Sequence, residues 1–470
     1  MKFIKNPYLH KTAVIVFMAF VLQSCFVAKE YTRPELEETA DSLYRTDNLP
    51  QDSISMADIS WKDMFADTYL KQYIEEGLQN NLDIRVAIQQ IAAAEAYMKQ
   101  GKAGYLPTLS ANAQMTHQEL SSNSQFGSLF SSLDQYELSG SLSWEADIWG
   151  KIRSNKRAGE ASYLQSVAAH QAVKTQLVSA IASTYYQLLA LDSQLEITEK
   201  TIAARDSSVI TIKALKDAGQ VTQVAVDQNI AQYNNSKALL IDIKASIFRT
   251  ENTLNLLLGK PSGEITRSVL DAQSFDTDIK LGVPMTLLRN RPDVMASEHG
   301  LVQAFEMTNV ARSNFYPSLT LTASGGFQSL ELDELLSANS LFANIVGGLA
   351  QPIFNRRNIK TQHEVAKAQQ EQALLNFKKT LLTAGNEVSN ALYTYNAETE
   401  KVTFRLNEVQ ALRDAEANSE ELLANGFANY LDLLTARQSA LNAELNVIDN
   451  KLQQLLSIVN LYEALGGGWK

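Results

Sequence analysis

The chain offers little to a catalytic centre. It has one cysteine, Cys25, and five histidines, His10, His117, His170, His299 and His363, scattered singly along 470 residues. A zinc site needs several such donors brought together, so the composition points away from a metal centre, and one cysteine excludes an internal disulfide. Glycine-rich phosphate loops of either common spacing are absent, which argues against the usual nucleotide-binding folds. Basic residues are outnumbered, 41 against 52 acidic, for a formal net charge of −11. Nucleic acid as a partner calls for a basic face, so no nucleic-acid role is expected. Long apolar runs are also missing. The run Ala13 to Leu22 falls short of the about 20 residues that span a bilayer as a helix, and no other stretch does better. The expectation is a protein that is not an enzyme and holds no metal or cofactor.

What is present begins at the N-terminus. Lys2, Lys5, His10 and Lys11 precede the short apolar run, and a polar, proline-bearing segment from Tyr31 to Pro50 follows it. A basic start and a short apolar core mark a secretory signal, expected over residues 1–24. Leu22-Gln23-Ser24-Cys25 resembles the bacterial lipobox, in which cleavage leaves an acylated cysteine as the new N-terminus. Gln23 departs from the usual small residue, and Phe26 stands where an inner-membrane lipoprotein commonly has aspartate. Cys25 is therefore expected to carry a covalent lipid, on an extended N-terminal segment covering 25–66.

The rest of the chain repeats itself. Asp83 matches Asp293, Ala94 matches Ala304, Pro107 matches Pro317 and Leu109 matches Leu319, an offset of 210 residues. Further on, Gly219 matches Gly426 and Gly259 matches Gly466, an offset of 207; between them "ADIWGKIR" (146–153) resembles "QPIFNRRN" (351–358) at 205. Two tandem copies are expected, 67–258 and 291–470, joined by a linker at 259–290. A period this long suggests pseudo-symmetry within one subunit rather than a solenoid.

Each copy has the same order of elements. A helix, about 67–103 or 291–313, stops before Pro107 or Pro317, because proline disfavours helical backbone in the residue before it. The apolar period then changes to two. Tyr136, Leu138, Gly140, Leu142 and Trp144 alternate with small polar residues, as do Leu319, Leu321, Ala323, Gly325 and Phe327. Residues 109–116 alternate more weakly, and 341–352 least regularly. Hairpins are expected at about 107–148 and 317–352, with the two-faced pattern of transmembrane β-strands. Long proline-free stretches follow, 151–217 and 359–424, then glycine turns at 218–220 and 425–427, then returning helices. The returns carry heptad-like stripes such as Leu240, Ile243, Ile247, Thr250, Leu254 and Leu257, which is coiled-coil packing.

Four strands cannot close a barrel, and lipid does not tolerate an open sheet edge. Closed membrane barrels start at about eight strands, and an eight-stranded interior is filled by side chains. Several chains must therefore share one barrel, and only a larger number leaves a hole. The architecture expected is mainly α with a β-barrel part: long helical hairpins plus four transmembrane strands per chain.

The lipobox, "YTRP" (31–34), "WEADIWGKIR" (144–153), "LRNRPDV" (288–294), the two proline junctions and the two glycine-turn hairpins resemble the TolC-type outer-membrane efflux channels, most closely their lipoprotein branch in tripartite, RND-type pumps. The resemblance covers nearly the whole chain. It implies a homotrimer with a twelve-stranded barrel and a helical barrel reaching into the periplasm. It further implies a periplasmic membrane-fusion adaptor, an inner-membrane efflux transporter and outer-membrane lipid as partners, and passive conduction of drugs or other small toxic solutes. A channel of the same build for type I protein secretion is the alternative, and a non-channel coiled-coil envelope lipoprotein a more distant one. The resemblance also places a pore gate past the second glycine turn. Asp432 matches an inward carboxylate position and Leu431 an apolar constriction. Thr435 stands at a second carboxylate position, and Ala428 at that of a basic latch. A carboxylate at a helix start is equally favoured by the helix dipole, so Asp432 has a plain structural reading too. The adaptor is expected to grip the hairpin tips at Gly219, Gln220, Gly426 and Phe427. Trp144, Trp149 and Phe354 fall near strand ends, where aromatics favour the membrane interface, or at the corners into the helices.

Overall fold

The computed structural model describes residues 27–34, 56–125, 127, 131–273, 290–427 and 429–470. The expected signal segment, Cys25, Ala428 and residues 274–289 of the linker lie outside the described residues.

Helices α1 (Trp61–Met64), α2 (Thr68–Asn80) and α3 (Leu82–Ala103) open the fold. The single helix expected over 67–103 is thus two. Asn81 divides them because its side chain competes with the helix: Oδ1 accepts from the N–H of Asp83 at 2.8 Å and of Ile84 at 3.2 Å, capping α3. Its Nδ2 meanwhile donates to the carbonyl of Leu257 at 2.9 Å. Such side-chain to backbone bonds are why asparagine favours helix ends. Asp67 caps α2 likewise, accepting from Tyr69 at 2.8 Å and Leu70 at 3.2 Å.

Strands β1 (Thr108–Glu119) and β2 (Ser132–Ala146) lead into α4 (Lys151–Asp217), which returns as α5 (Gln223–Leu257). The second copy runs α6 (Pro292–Ser313), β3 (Ser318–Ser329), β4 (Leu341–Ala350), α7 (Asn358–Ala424) and α8 (Tyr430–Ala464). The copies match in length: 22 residues in α3 and α6, 67 in α4 and α7, 35 in α5 and α8. At a rise of 1.5 Å per residue, 67 residues extend about 100 Å along the helix.

Helix starts and strand register correct one detail of the repeat. Lys151 and Asn358 open α4 and α7, and each follows a residue at positive φ, Gly150 at 78° and Arg357 at 66°. Thr108 pairs with Ser143 in the first hairpin and Ser318 with Ala350 in the second. The second hairpin therefore closes three residues shorter, and the offset passes directly from 210 to 207. The likeness of Trp149 to Phe354, at 205, lies two residues out of structural register.

The chain forms two compact units. One holds Ile91–Ser166 and Ser297–Phe377 with the N-terminal residues. Its four strands make one antiparallel sheet in the order β1-β2-β3-β4. Register aligns like with like across all four. Ala113, Leu138, Phe327 and Leu341 form one row, and Ala111, Gly140, Gly325 and Ala343 the next. On the opposite face Ser110, Ser141, Ser324 and Asn344 line up. The sheet is thus apolar on one face and polar on the other. Residues 27–34 are tied to α6. Lys29 N–H donates to Asn309 Oδ1 at 3.2 Å, Asn309 Nδ2 donates to Lys29 O at 2.9 Å, and Tyr31 packs edge-on to Phe305.

The second unit contains Val167–Ala296 and Lys378–Lys470 along with residues 56–90. Its core joins Trp61, Phe65, Leu70 and Ile74 to Ile181, Tyr185 and Leu188 of α4 and to Leu455, Val459 and Tyr462 of α8. Full burial of each large apolar side chain contributes about 1.5–3 kcal/mol. Half-buried charged groups beside this core are paired. The Asp67 carboxylate accepts from Tyr185 and Gln273, each at 2.9 Å, and from Ser268. Arg267 bridges Asp192 and Glu251.

Candidate functional site

Two places stand out, the hairpin tips and the sheet. Both tips close by the same device. After α4, Gly219 takes φ 72°; its N–H donates to Lys216 O and that of Gln220 to Leu215 O, both at 2.9 Å. After α7, Gly426 takes φ 78°; its N–H donates to Leu423 O at 3.1 Å and that of Phe427 to Leu422 O at 2.9 Å. These bonds satisfy the last helical carbonyls and need a left-handed residue. A β-carbon added to either glycine would meet nothing within 4 Å, so backbone conformation alone selects glycine. Gln220 is exposed, and Phe427 keeps 83% of its surface in solvent. Beneath the turns the tips pack on each other through Ile212, Val226, Tyr430 and Leu433.

The two expected gate residues sit in the first turn of α8. Leu431 is exposed. Asp432 is exposed and forms a capping box with Asn429. Thr435 turns inward on its own helix, its hydroxyl donating to Leu431 O at 2.8 Å.

Above this apolar plug lies a polar collar that sequence reasoning missed. Arg205 of α4 is only 5% exposed. It donates through Nη1 to Gln232 O at 2.6 Å and Ser236 Oγ at 2.7 Å on α5, and through Nη2 to Gln438 Oε1 at 2.7 Å on α8. Burial, reinforced by the charge of Arg437, lowers its pKa. Arg437 donates to Ser208 Oγ at 3.0 Å and pairs with Glu420 at 3.1 Å. One buried cation thus ties the first hairpin to the second through neutral acceptors. Single arginines on long helices carry no spacing signal that would have marked them.

On the sheet, the polar face is almost free of charge. Glu137 lies in a row with Gln114 and Gln328 and accepts from Ser139 Oγ at 2.7 Å. Glu145 pairs with Lys151 at 3.0 Å. The sequence has no lysine or arginine between Lys102 and Lys151, nor between Arg312 and Arg356. At the strand ends Trp144 Nε1 donates to Tyr105 O at 2.9 Å. Trp149 Nε1 donates to Pro317 O at 2.7 Å, and its ring stacks on Tyr316. Trp149 therefore belongs to the corner into α4. Phe354, following β4, is 88% exposed. No helix among the described residues is long and apolar enough to cross a membrane.

Known proteins share this arrangement over nearly the whole length. The chain is 28% identical over 456 residues to "Probable efflux pump outer membrane protein TtgC" of Pseudomonas putida, covering 96% of this chain and 94% of that one. It is 26% identical to "Probable outer membrane lipoprotein SilC" of Salmonella typhimurium, covering 96% and 97%, and 25% identical to "Cation efflux system protein CusC" of Escherichia coli, covering 96% and 98%. Among solved structures, the open state of the Neisseria gonorrhoeae MtrE outer membrane channel superposes with a TM-score of 0.83 at 26% identity, covering 94% of this chain and 98% of that one. The Campylobacter jejuni CmeC outer membrane channel gives 0.85 at 25%, covering 94% and 95%. A family model described as "Outer membrane efflux protein" matches residues 73–260 and 283–467, one segment in each repeat. The chain belongs to the outer membrane efflux protein family.

Proposed function

We propose that three copies of this outer-membrane efflux protein close a twelve-stranded barrel and serve as the passive exit duct of a tripartite pump. The observation that carries the reading is the sheet: one face apolar, one face polar, and its outer strands β1 and β4 with no further strand beside them among the described residues. Lipid does not tolerate an unpaired edge, so the strands must be completed by other copies, and a barrel of more than about eight strands leaves a lumen. A periplasmic adaptor grips Gly219, Gln220, Gly426 and Phe427, and an inner-membrane transporter supplies the energy. Leu431 forms the constriction, and Asp432 lends it an acidic ring that favours cations. A lipid on Cys25 adds a second anchor. The cargo is a drug or other small toxic solute; CusC, one of the relatives, is named for cation efflux.

Purified full-length protein fused into a planar bilayer tests this reading. Discrete conductance steps from a particle of three chains are expected. Trimeric particles that never conduct would sink it.

A further inference from the structure

The polar face of the four strands carries two ionisable side chains, Glu137 and Glu145, both on β2. They differ in company. Glu145 lies 3.0 Å from Lys151, and the two together are neutral. Glu137 has no ion pair among the described residues. Its Oε1 accepts from Ser139 Oγ at 2.7 Å, and its neighbours across the sheet are Gln114 on β1 and Gln328 on β3. Amides and hydroxyls orient a carboxylate without cancelling its charge. Lys151 is too far to help, since roughly 26 Å of strand separates Glu137 from Glu145 at about 3.3 Å per residue.

The fold does not ask for a charge at this place. β4 repeats β2 at an offset of 207 residues, which sets Asn344 where β2 has Glu137. That amide continues the neutral row of Ser110, Ser141 and Ser324, so a neutral side chain meets the needs of the sheet at the equivalent position. Glu137 is half-buried, and a carboxylate drawn out of water with no cation beside it costs free energy. The charge therefore calls for a role other than holding the strands.

We propose that Glu137 sets a charge preference inside the membrane barrel, favouring cationic over anionic solutes, an inference that rests on the exit-duct reading above. In that reading the polar face lines the lumen, and three copies of each residue surround it. Three carboxylates in an otherwise neutral wall form a ring of one sign, the device by which charged rings select ions. Low-dielectric walls focus the field of such a ring into the water it encloses. Gln114 and Gln328 flank each carboxylate with amide oxygens that accept from an ammonium group. The ring spans an open lumen, so salt sets its reach, about 10 Å at 0.1 M and about 3 Å at 1 M. A cation preference that fades as salt rises is its signature. A ring at a narrow constriction, as proposed for Asp432, holds passing ions closer and loses less to screening.

Planar-bilayer recordings of the full-length protein test the assignment. Reversal potentials in a KCl gradient centred on 0.1 M give the permeability of potassium relative to chloride. Glu137→Gln should lower that ratio by at least about twofold, and Glu137→Lys should lower it further. Glu137→Asn, which copies the second repeat, is a second neutral variant and should match Glu137→Gln. In a gradient centred on 1 M the neutral variants and the parent should agree. Removing the neutral pair, Glu145→Gln with Lys151→Gln, should leave the ratio unchanged at both salts. The same pattern is expected with tetraethylammonium chloride in place of KCl. An unchanged ratio at 0.1 M in neutral variants that still conduct overturns the inference. So does a shift of equal size at both salts, or one of that size from the double variant. A parent protein that never conducts overturns the exit-duct reading instead.

Discussion

Asn429 and Asp432 hold each other across the first turn of α8. The Asp432 carboxylate accepts from the Asn429 N–H at 3.3 Å, and Asn429 Oδ1 accepts from the Asp432 N–H at 3.1 Å. A capping box of this kind satisfies two helical donors reciprocally. The same carboxylate that starts the helix is the one proposed above for the acidic ring of the pore. Charge and cap can be separated by substitution. Asn429→Ala should cost about 1 kcal/mol of local stability, the usual worth of an N-cap, and leave cation preference intact. Asp432→Asn should keep the fold and reduce cation preference in reversal-potential recordings. Equal preference in the two proteins would leave Asp432 as a cap alone.

Arg205 is the next test. Its guanidinium bonds to α5 and α8 at once, through carbonyl, hydroxyl and amide oxygens. Hydrogen bonds from a charged group contribute about 1.5–3 kcal/mol where both partners are buried. Arg205→Ala should therefore loosen the tip by about 2 kcal/mol, read as faster amide exchange in the ends of α4 and α8. Gln438→Ala removes one bond of the set and should cost less.

Acid should weaken the folded chain in two steps. Burial, aided by Lys174, lowers the pKa of His170, and burial lowers that of His299 against the opposing charge of Glu298. An unfolded histidine titrates near about pH 6.5, so on acidification the unfolded state takes up these protons first. Stability is then lost as pH falls through about 6.5 and below. Asp67 acts lower down. Burial raises its pKa, but bonds from Ser268, Gln273, Tyr185 and the Leu70 N–H outweigh that and leave it lowered. Its contribution is present above the ordinary aspartate range and lost beneath it. Melting temperature measured from pH 8 downward should decline below about pH 6.5, and His170→Gln with His299→Gln should flatten that decline.

Much of this was legible beforehand, for reasons that particular residues show. Stretches without proline announced α4 and α7, and Gly219 and Gly426 announced the turns between long helices. Alternation in β2 and β3 was clear because one face is apolar from Tyr136 to Ala146 in the first and from Leu319 to Phe327 in the second. Three things were hidden. At Asn81 the break is local, a side-chain cap on Asp83 and Ile84 in the middle of an otherwise helical pattern, and the Leu257 carbonyl that also holds this side chain lies far along the chain. The joining of β2 to β3 is a pairing between copies, which no local period reports. Arg205 owes its role to acceptors on two other helices. Leu431 and Asp432 could be located on α8, but their facing a lumen depends on neighbouring copies.

Phe427 offers a clean probe of the adaptor surface. It is 83% exposed beside Gly426, so Phe427→Ala should change stability by less than about 0.5 kcal/mol. If the tips carry the docking surface, the same change weakens adaptor binding in a pull-down from detergent. Gly426→Ala should instead cost about 1–2 kcal/mol, the strain of a left-handed alanine, with no steric clash.

The sheet and both of its strand connections are built without lysine or arginine, from residue 103 to 150 and from 313 to 355. Proteases of trypsin's specificity cut only after those two residue types. If the helical hairpins reach into the periplasm, the end of the sheet away from them is the end turned to the outside of the cell. However far these connections stray from the barrel, such an enzyme finds no bond there to cleave. The strands and these two connections are proof against that whole class of protease by composition, whether or not they are rigid.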